Sequence, residues 1–535
     1  MSKINLFQKN SKYIVFLFFS LIFFFCWLLI DDYGVTLDDY IYFTNGQNTF
    51  LYIKSVLLSF FDDQIDPSKL KTNLNVLPVV YEIFLVLICK ILNIADFKDI
   101  YITAHKLNFL LFFSSLIVFF SFCQKIFNNL FISILGVCFI ILSPRIFAES
   151  FYNSRDIFFM CLFIFYLNFM YNFINSKNIK NTILFSLFTA LLVNSKILGI
   201  IPVFVFLLLY LYNFLNSKKK LYLEKNNIFL FFIFCFLFIY IFWPYLWNDP
   251  LGNLFFALKN VVKTQEKIIL INFYFGQYLP SDVVPWHYRI VWFFITTPEI
   301  ILFLFFGGLI VLLKELPKTL SQTLNNKINF SKKEFINIFL FLVFLLSFFI
   351  LTEFNKSKYG GWRHLYFLYP IVIYFSLFFI NHLLSNLSKI FKIILFFFIF
   401  ISLAYNLSWS IKNHPHQYVF FNVLSKNYAI KNFDLDWWGI SHKTSLEYIL
   451  NNSQKNKIKV FAEGFTSLND TYLFLDNDKK NRIILSDIEE ADYIIDSKMK
   501  RMRVNNNIKE NNEFKLIYEL NIDGQAVNGI YKKRN

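Results

Sequence analysis

The sequence predicts a polytopic α-helical membrane protein with a small α/β domain at its C-terminal end. Three observations carry this. First, 56% of the 535 residues are hydrophobic, including 75 Phe, well above the roughly 45–50% apolar content of a water-soluble domain. Second, the apolar residues gather into repeated runs of the roughly 17–25 residues that a bilayer-spanning helix requires. Third, beyond about residue 412 the composition becomes polar and rich in Asn and Lys, and short strand-like runs replace the long apolar ones.

Charge and cysteine usage agree with a membrane chain. Lys and Arg exceed Asp and Glu by 52 to 36, and the formal net charge is +16. In a soluble protein that excess would suggest a nucleic-acid partner. Here much of it falls in short loops between apolar runs, as the positive-inside rule describes, so membrane lipid and not nucleic acid is the expected partner. Cys26, Cys89, Cys123, Cys138, Cys161 and Cys235 lie in or beside apolar segments without CxxC spacing, which points to packing, not to disulfides or metal. Lys3, Lys9 and Lys12 precede the first apolar run as in a signal peptide. No small-residue cleavage site follows, so the run reads as an uncleaved first helix.

Eleven spans are expected, near 13–30, 103–123, 128–143, 157–173, 181–195, 198–214, 227–246, 290–313, 334–351, 365–384 and 389–409. This parity puts the N-terminus in the cytoplasm and the C-terminus outside. The basic loops around Lys177 and Lys180, around Lys218-Lys219-Lys220 with Lys225, and over 314–333 then share the inner side. Leu77–Leu92 is apolar but short and carries Pro78 and Lys90, and reads as a helix at the outer interface. Trp243-Pro244-Tyr245-Leu246-Trp247 forms an aromatic collar, and the outer loop of about 248–288 contains a helical stretch. The organisation is thus a transmembrane module over 1–412, with its first outer loop over 31–100, and an extracytoplasmic domain over 413–535. In the latter, Ser441–Asn452 reads as an amphipathic helix with a Ser cap. Strands are expected at Ile458–Ala462, Arg482–Leu485 and Ala491–Ile495, and a hairpin at Phe514–Leu520 and Ala526–Tyr531 around Asp523-Gly524.

The polar residues are not scattered. Asp31, Asp32, Asp38 and Asp39 follow directly on the first apolar run. With the parity above, Asp38 and Asp39, the stretch Arg145 to Asp156, Lys196, Trp286-His287-Tyr288 and Trp362-Arg363-His364 all fall at outer ends of spans. A transporter would place ionisable groups nearer the mid-membrane and show internal repeats; neither is found. An enzyme working on a lipid-linked substrate would gather them at one interface. A carboxylate there can take the proton of an attacking acceptor. Arg145, Arg155, Lys196, Arg363 and His364 can stabilise charge developing on a leaving phosphate, Arg being suited to bidentate contact. Asp156 can orient the acceptor. Trp286, His287, Tyr288 and Trp362 can form the walls of a substrate groove. Plainer readings stand beside these: Asp38 as a helix cap, Arg145 and Arg155 as interfacial anchors or partners of Glu149 and Asp156, Lys196 as an anchor, the tryptophans as belt residues, the histidines as structural. His414 and His416 are too sparse for a metal site, and no P-loop, GxGxxG or zinc spacing occurs.

Taken in order, Gly34-Val35-Thr36-Leu37-Asp38-Asp39, Ser143-Pro144-Arg145 through Asn153-Ser154-Arg155-Asp156, Trp243 to Trp247, Pro285-Trp286-His287-Tyr288, Gly361-Trp362-Arg363-His364 and Asp436-Trp437-Trp438-Gly439 form a set. In that order the chain resembles the membrane glycosyltransferases of the GT-C fold, and within them the phospholipid carrier-dependent relatives of dolichyl-phosphate-mannose–protein mannosyltransferases (family 39). The resemblance implies a polyprenyl-phosphate sugar as donor, inversion at the anomeric centre, a bacterial inner-membrane location and an acceptor that is protein, lipid or glycan. It carries the catalytic-base role to Asp38. That family usually has Asp-Glu where this chain has Asp38-Asp39, which leaves open which of the two acts. No cofactor is required by these residues, and a divalent cation is compatible with the acids. A flippase or a polymerase for lipid-linked glycans is the alternative.

Overall fold

The computed structural model describes residues 2–62, 64–71, 73–176, 178–216, 225–267, 269–326, 330–353, 357–462, 467–496 and 513–534. The expected loop residues Lys177 and Lys218-Lys219-Lys220 lie outside the described residues.

Among the described residues eight helices are long and apolar enough to cross a membrane: Lys12–Asp32, Phe97–Phe127, Asp156–Asn175, Ile197–Leu215, Glu299–Gln322, Lys332–Glu353, Arg363–Asn386 and Lys389–Lys412. Leu130–Ile141 with Pro144–Tyr152 makes a ninth if the bent pair counts as one span, and Ile179–Ser195 and Asn226–Ile241 are shorter apolar helices. Each of the eleven expected spans therefore falls on an apolar helix, although fewer than eleven meet the length of a full crossing.

One expected span is broken at a proline, and another ends at one. The run expected as 290–313 is two helices, Tyr288–Thr296 and Glu299–Asn326. Thr297 between them is extended, with φ −90° and ψ 133°, because the ring of Pro298 excludes the helical conformation from the residue before it. In the same way Ser143, before Pro144, takes φ −91° and ψ 104°, and the chain turns by 70° into Pro144–Tyr152. That bend lays the Arg145-to-Asp156 stretch across the end of the bundle instead of letting it run on.

The apolar segment at Leu77–Leu92 forms the helix Val80–Ile91 of 12 residues. At 1.5 Å per residue that is about 18 Å, too short for a hydrocarbon core of about 30 Å. It packs on the helix Asp39–Ser59, with Glu82 and Tyr81 buried between them and the bundle. The helices Asp156–Asn175 and Arg363–Asn386 form the buried centre, while the helices at Lys12–Asp32 and Lys389–Lys412 are mostly exposed. Their exposed Phe, Leu and Ile side chains suit a lipid-facing position.

The loop expected outside, over about 248–288, contains the helix Pro250–Lys267 and a hairpin of β1 (Ile271–Tyr274) and β2 (Gln277–Pro280). The terminal sheet has five strands, β3 (Ile458–Ala462), β4 (Ile483–Leu485), β5 (Tyr493–Asp496), β6 (Phe514–Ile522) and β7 (Gln525–Lys533), in the order β4-β3-β5-β7-β6. β3 runs parallel to β4 and β5, and β7 antiparallel to β5 and β6. The sheet has its own apolar core with the helix His442–Asn452, including Leu446, Ile449, Val460, Ile495 and Ile530. Residues Tyr418 to Ile440 instead add their apolar side chains to the core of the helical body. The Ser441 hydroxyl does not cap its helix. It accepts from Asn528 Nδ2 at 2.8 Å, and Asp436 takes the Gly439, Ile440 and Ser441 N–H groups at 2.9, 3.1 and 2.9 Å.

Candidate active site

Polar residues far apart in the chain meet in one cluster. Asp156 begins a helix there and is the hub. Its backbone N–H donates to Asn153 Oδ1 at 2.8 Å, and its Oδ2 accepts from Asn153 Nδ2 at 3.1 Å. Lys196 pairs directly with Oδ1. Arg363 NH1 lies 3.4 Å from Oδ2 and His364 Nδ1 3.7 Å from Oδ1. Four of the residues singled out in the sequence thus form one buried cluster with a single carboxylate surrounded by nitrogen.

Arg363 is delivered by the turn before it. Gly360 and Gly361 both have positive φ, 66° and 68°, a backbone state open to glycine. A Cβ at Gly360 would stand 2.5 Å from Arg363 Nε. The guanidinium lies over the Trp438 ring, 4.2 Å from its centroid. Arg145, from the bent segment, donates to the Phe420 carbonyl at 3.3 Å and stands 5.5 Å from the Trp292 ring centroid. Arg145 and Arg363 line one small pocket together with Glu149, Trp292, Tyr366, Tyr418, Asp434, Trp437 and Trp438. Arg145 Nε, Arg363 Nε and Trp292 Nε1 are buried without a hydrogen-bond partner. Buried donors left unmatched cost free energy, so this pocket is built for an acceptor-rich group.

Asp38 and Asp39 face different surroundings. Asp38 accepts the Tyr42 hydroxyl at Oδ2, 3.0 Å. The Tyr42 ring lies 4.3 Å from Arg155 CZ, and its phenol is held well above its ordinary range by burial and by the Asp38 charge, with Arg155 and Arg363 acting oppositely. Asp38 is therefore the acid on the side of the cations. Asp39 turns back on its own loop and accepts the Thr36 N–H at 2.7 Å. Burial, with Asp470 and Asp38 nearby, pushes its carboxyl up to about 8 although the Thr36 bond opposes this.

Arg155 is not the partner of Glu149 or Asp156. Its guanidinium pairs with Glu82 at 2.6 Å. Glu149 instead accepts from the Tyr366 hydroxyl at 2.7 Å and from Asn153 Nδ2 at 2.6 Å. The aromatic set is dispersed. Trp286 is 60% exposed and touches His287 edge-on; His287 Nδ1 meets the Tyr274 hydroxyl at 2.7 Å. Tyr288 is buried, donating to Asn272 Oδ1 at 2.9 Å and accepting the Gly361 N–H at 3.1 Å. Trp362 is buried and donates to Thr296 Oγ1 at 2.8 Å. None of these four lines the pocket, whose aromatic wall is Trp292, Trp437 and Trp438. Tyr42, Glu82 and Trp292 gave no sequence signal beyond their residue types. Trp438 had one, its place in Asp436-Trp437-Trp438-Gly439.

Among the described residues no three His, Cys, Asp or Glu side chains cluster as they would to hold a metal ion. The oxygens of Asp156 are already taken by Lys196, Arg363, His364 and Asn153.

No family model matches the chain, and no curated protein sequence matches it significantly. Among solved structures it is similar to ArnT from Cupriavidus metallidurans bound to undecaprenyl phosphate, at 11% identity and a TM-score of 0.46, over 97% of this chain and 98% of that one. The apo state of the same protein matches at 10% identity and a TM-score of 0.46 over the same shares.

Proposed function

We propose that the protein is an inverting glycosyltransferase of the GT-C type. It moves a single sugar from a polyprenyl-phosphate carrier to an acceptor at the outer face of a bacterial inner membrane. What supports this most is one juxtaposition: a pocket with two guanidiniums, the half-buried Arg145 and the buried Arg363, and unmatched N–H donors, beside a loop carboxylate, Asp38, on the cationic side.

Asp38 takes the proton of the acceptor hydroxyl as its oxygen attacks the anomeric carbon. The bond from that carbon to the phosphate oxygen breaks, and the electron pair leaves with polyprenyl phosphate. Arg145 and Arg363 stabilise the charge that develops there. Lys196 and His364 act with them through Asp156, which holds the cations in place. Asp39 is turned to the Thr36 N–H of its own loop, away from the cations, and is the second candidate. No step is routed through a metal ion.

Because Trp292, Trp437 and Trp438 line the pocket, tryptophan fluorescence reports its occupancy. Titration with polyprenyl phosphate is expected to change the emission saturably, and Arg145→Ala to weaken binding about tenfold or more, as loss of a charged hydrogen bond does. Absence of binding by the wild type would overturn the proposal.

A further inference from the structure

The terminal domain meets the acidic turn at several points. Asp470 Oδ1, in the helix Leu468–Leu473, accepts both the Tyr40 backbone N–H and the Tyr101 hydroxyl at 3.2 Å. Tyr40 is in the first turn of Asp39–Ser59, where the helix leaves its N–H groups unmatched. Phe474 packs with Val35 and Tyr101 in a small apolar cluster. Lys98 pairs with Asp476, and Lys480 lies 3.6 Å from Asp96. The Lys443 ammonium donates to the Asp31 carbonyl. Gly34 approaches the Ile440 carbonyl so closely that a Cβ would stand 2.6 Å from it.

These contacts bracket Asp38 from Asp31 to Tyr40. Within the turn Asp39 holds the Thr36 N–H at 2.7 Å and Tyr42 holds Asp38 at 3.0 Å, but the N–H groups at its helix end are not met from within. Asp38 makes no side-chain cap, and its own N–H reaches Thr36 Oγ1 only at 3.4 Å. The first turn's own acid, Asp39, is turned to the Thr36 N–H, and Asp470 supplies from another domain the carboxylate that meets the Tyr40 N–H, in the place where the helix dipole favours an anion. Neutral docking would have met the same apolar contact at Phe474 without burying a carboxylate, which is costly unless it is bonded.

We propose that Asp470 is a positioning residue of the active site and that the terminal domain is the clamp that fixes the Asp38 turn. The assignment of Asp38 as base rests on the function proposed above; the clamp itself does not.

The test uses the full chain in lipid nanodiscs with Asp470→Ala and Asp470→Asn. Hydrogen exchange over residues 36–43 is read first. Asp470→Ala is expected to speed it about tenfold, the effect of losing one charged hydrogen bond. Asp470→Asn, whose amide oxygen still accepts, is expected to restore most of the protection. Sugar transfer is read second: Asp470→Ala should lower kcat about tenfold with donor KM within about twofold, and Asp470→Asn should recover most of kcat, since only the geometry of the base changes. Unchanged exchange in Asp470→Ala overturns the clamp. A raised KM at unchanged kcat overturns the positioning role, placing Asp470 in donor binding. If Asp470→Ala does not fold, Phe474→Ala loosens the same contact and is read in the same way. A wild type that transfers no sugar would defeat the function proposed above, while the exchange arm still decides the clamp.

Discussion

The Tyr42 hydroxyl donates to Asp38 Oδ2 at 3.0 Å. The two residues are four apart at the start of one helix, where side chains stand over one another. Behind Tyr42 lies Arg155, 4.3 Å from the ring centroid, and behind Arg155 lies Glu82 at 2.6 Å. The short helix Val80–Ile91 thus reaches the candidate base through three side chains in contact.

Tyr42→Phe removes the hydrogen bond and keeps the ring on Arg155. Turnover is expected to fall about tenfold, as for loss of one oriented hydrogen bond to a charged group, with donor affinity unchanged. The check is kcat against the dissociation constant for polyprenyl phosphate. Equal loss in both would put Tyr42 in donor binding.

Glu82→Ala leaves the Arg155 guanidinium without its carboxylate. Breaking one side of a buried pair costs about 3 kcal/mol or more. Arg155 retains some solvent contact, so about 3 kcal/mol is the expected loss, read as a lowered midpoint of thermal unfolding in detergent. Glu82→Gln should lose less.

Asp39 gives a pH dependence whose sign is fixed. Its carboxyl is raised to about 8 in the folded chain, against about 3.9 in an unfolded one. Between those values the folded state binds the additional proton. Stability is therefore greatest at low pH and declines as pH rises from about 4 towards about 8. Thermal midpoints measured from pH 5 to pH 8.5 are expected to fall, and Asp39→Asn to flatten that slope. A slope unchanged by Asp39→Asn would assign it to other groups.

Trp286 and Trp362 should separate cleanly. Trp362 is 3% exposed and hydrogen-bonded, so Trp362→Ala is expected to destabilise by about 3–5 kcal/mol. Trp286 is mostly exposed, and Trp286→Ala should stay within about 0.5 kcal/mol. Thermal unfolding of the two variants checks both.

The helical architecture was legible because it rests on local signals. Long apolar runs mark helices, and alternation with Asp523-Gly524 marks the terminal hairpin. The break at Pro298 was also local, but apolar content hid it, since a proline can sit inside a membrane helix. The partners of the charges were not legible. Arg155 is one residue from Asp156 and six from Glu149, yet it pairs with Glu82 on another helix, a long-range contact that spacing along the chain does not show. Asp156 was visible as a polar residue at a span end, but its meeting with Lys196 and Arg363 depends on three separate helices. Trp286 and Trp362 looked alike in sequence; only packing distinguishes an exposed loop tryptophan from a core one. Asp470 lay in a polar stretch that gave no sign of contact with Tyr40.

The central claim is that Asp38 is the base in sugar transfer from a polyprenyl-phosphate donor. Release of polyprenyl phosphate from a panel of polyprenyl-phosphate sugars, by wild type, Asp38→Asn and Asp39→Asn, tests it most directly. The account predicts turnover of one donor by the wild type, loss of about a hundredfold or more in Asp38→Asn with donor binding intact, and a smaller loss in Asp39→Asn. Turnover that survives in Asp38→Asn and disappears in Asp39→Asn would contradict it.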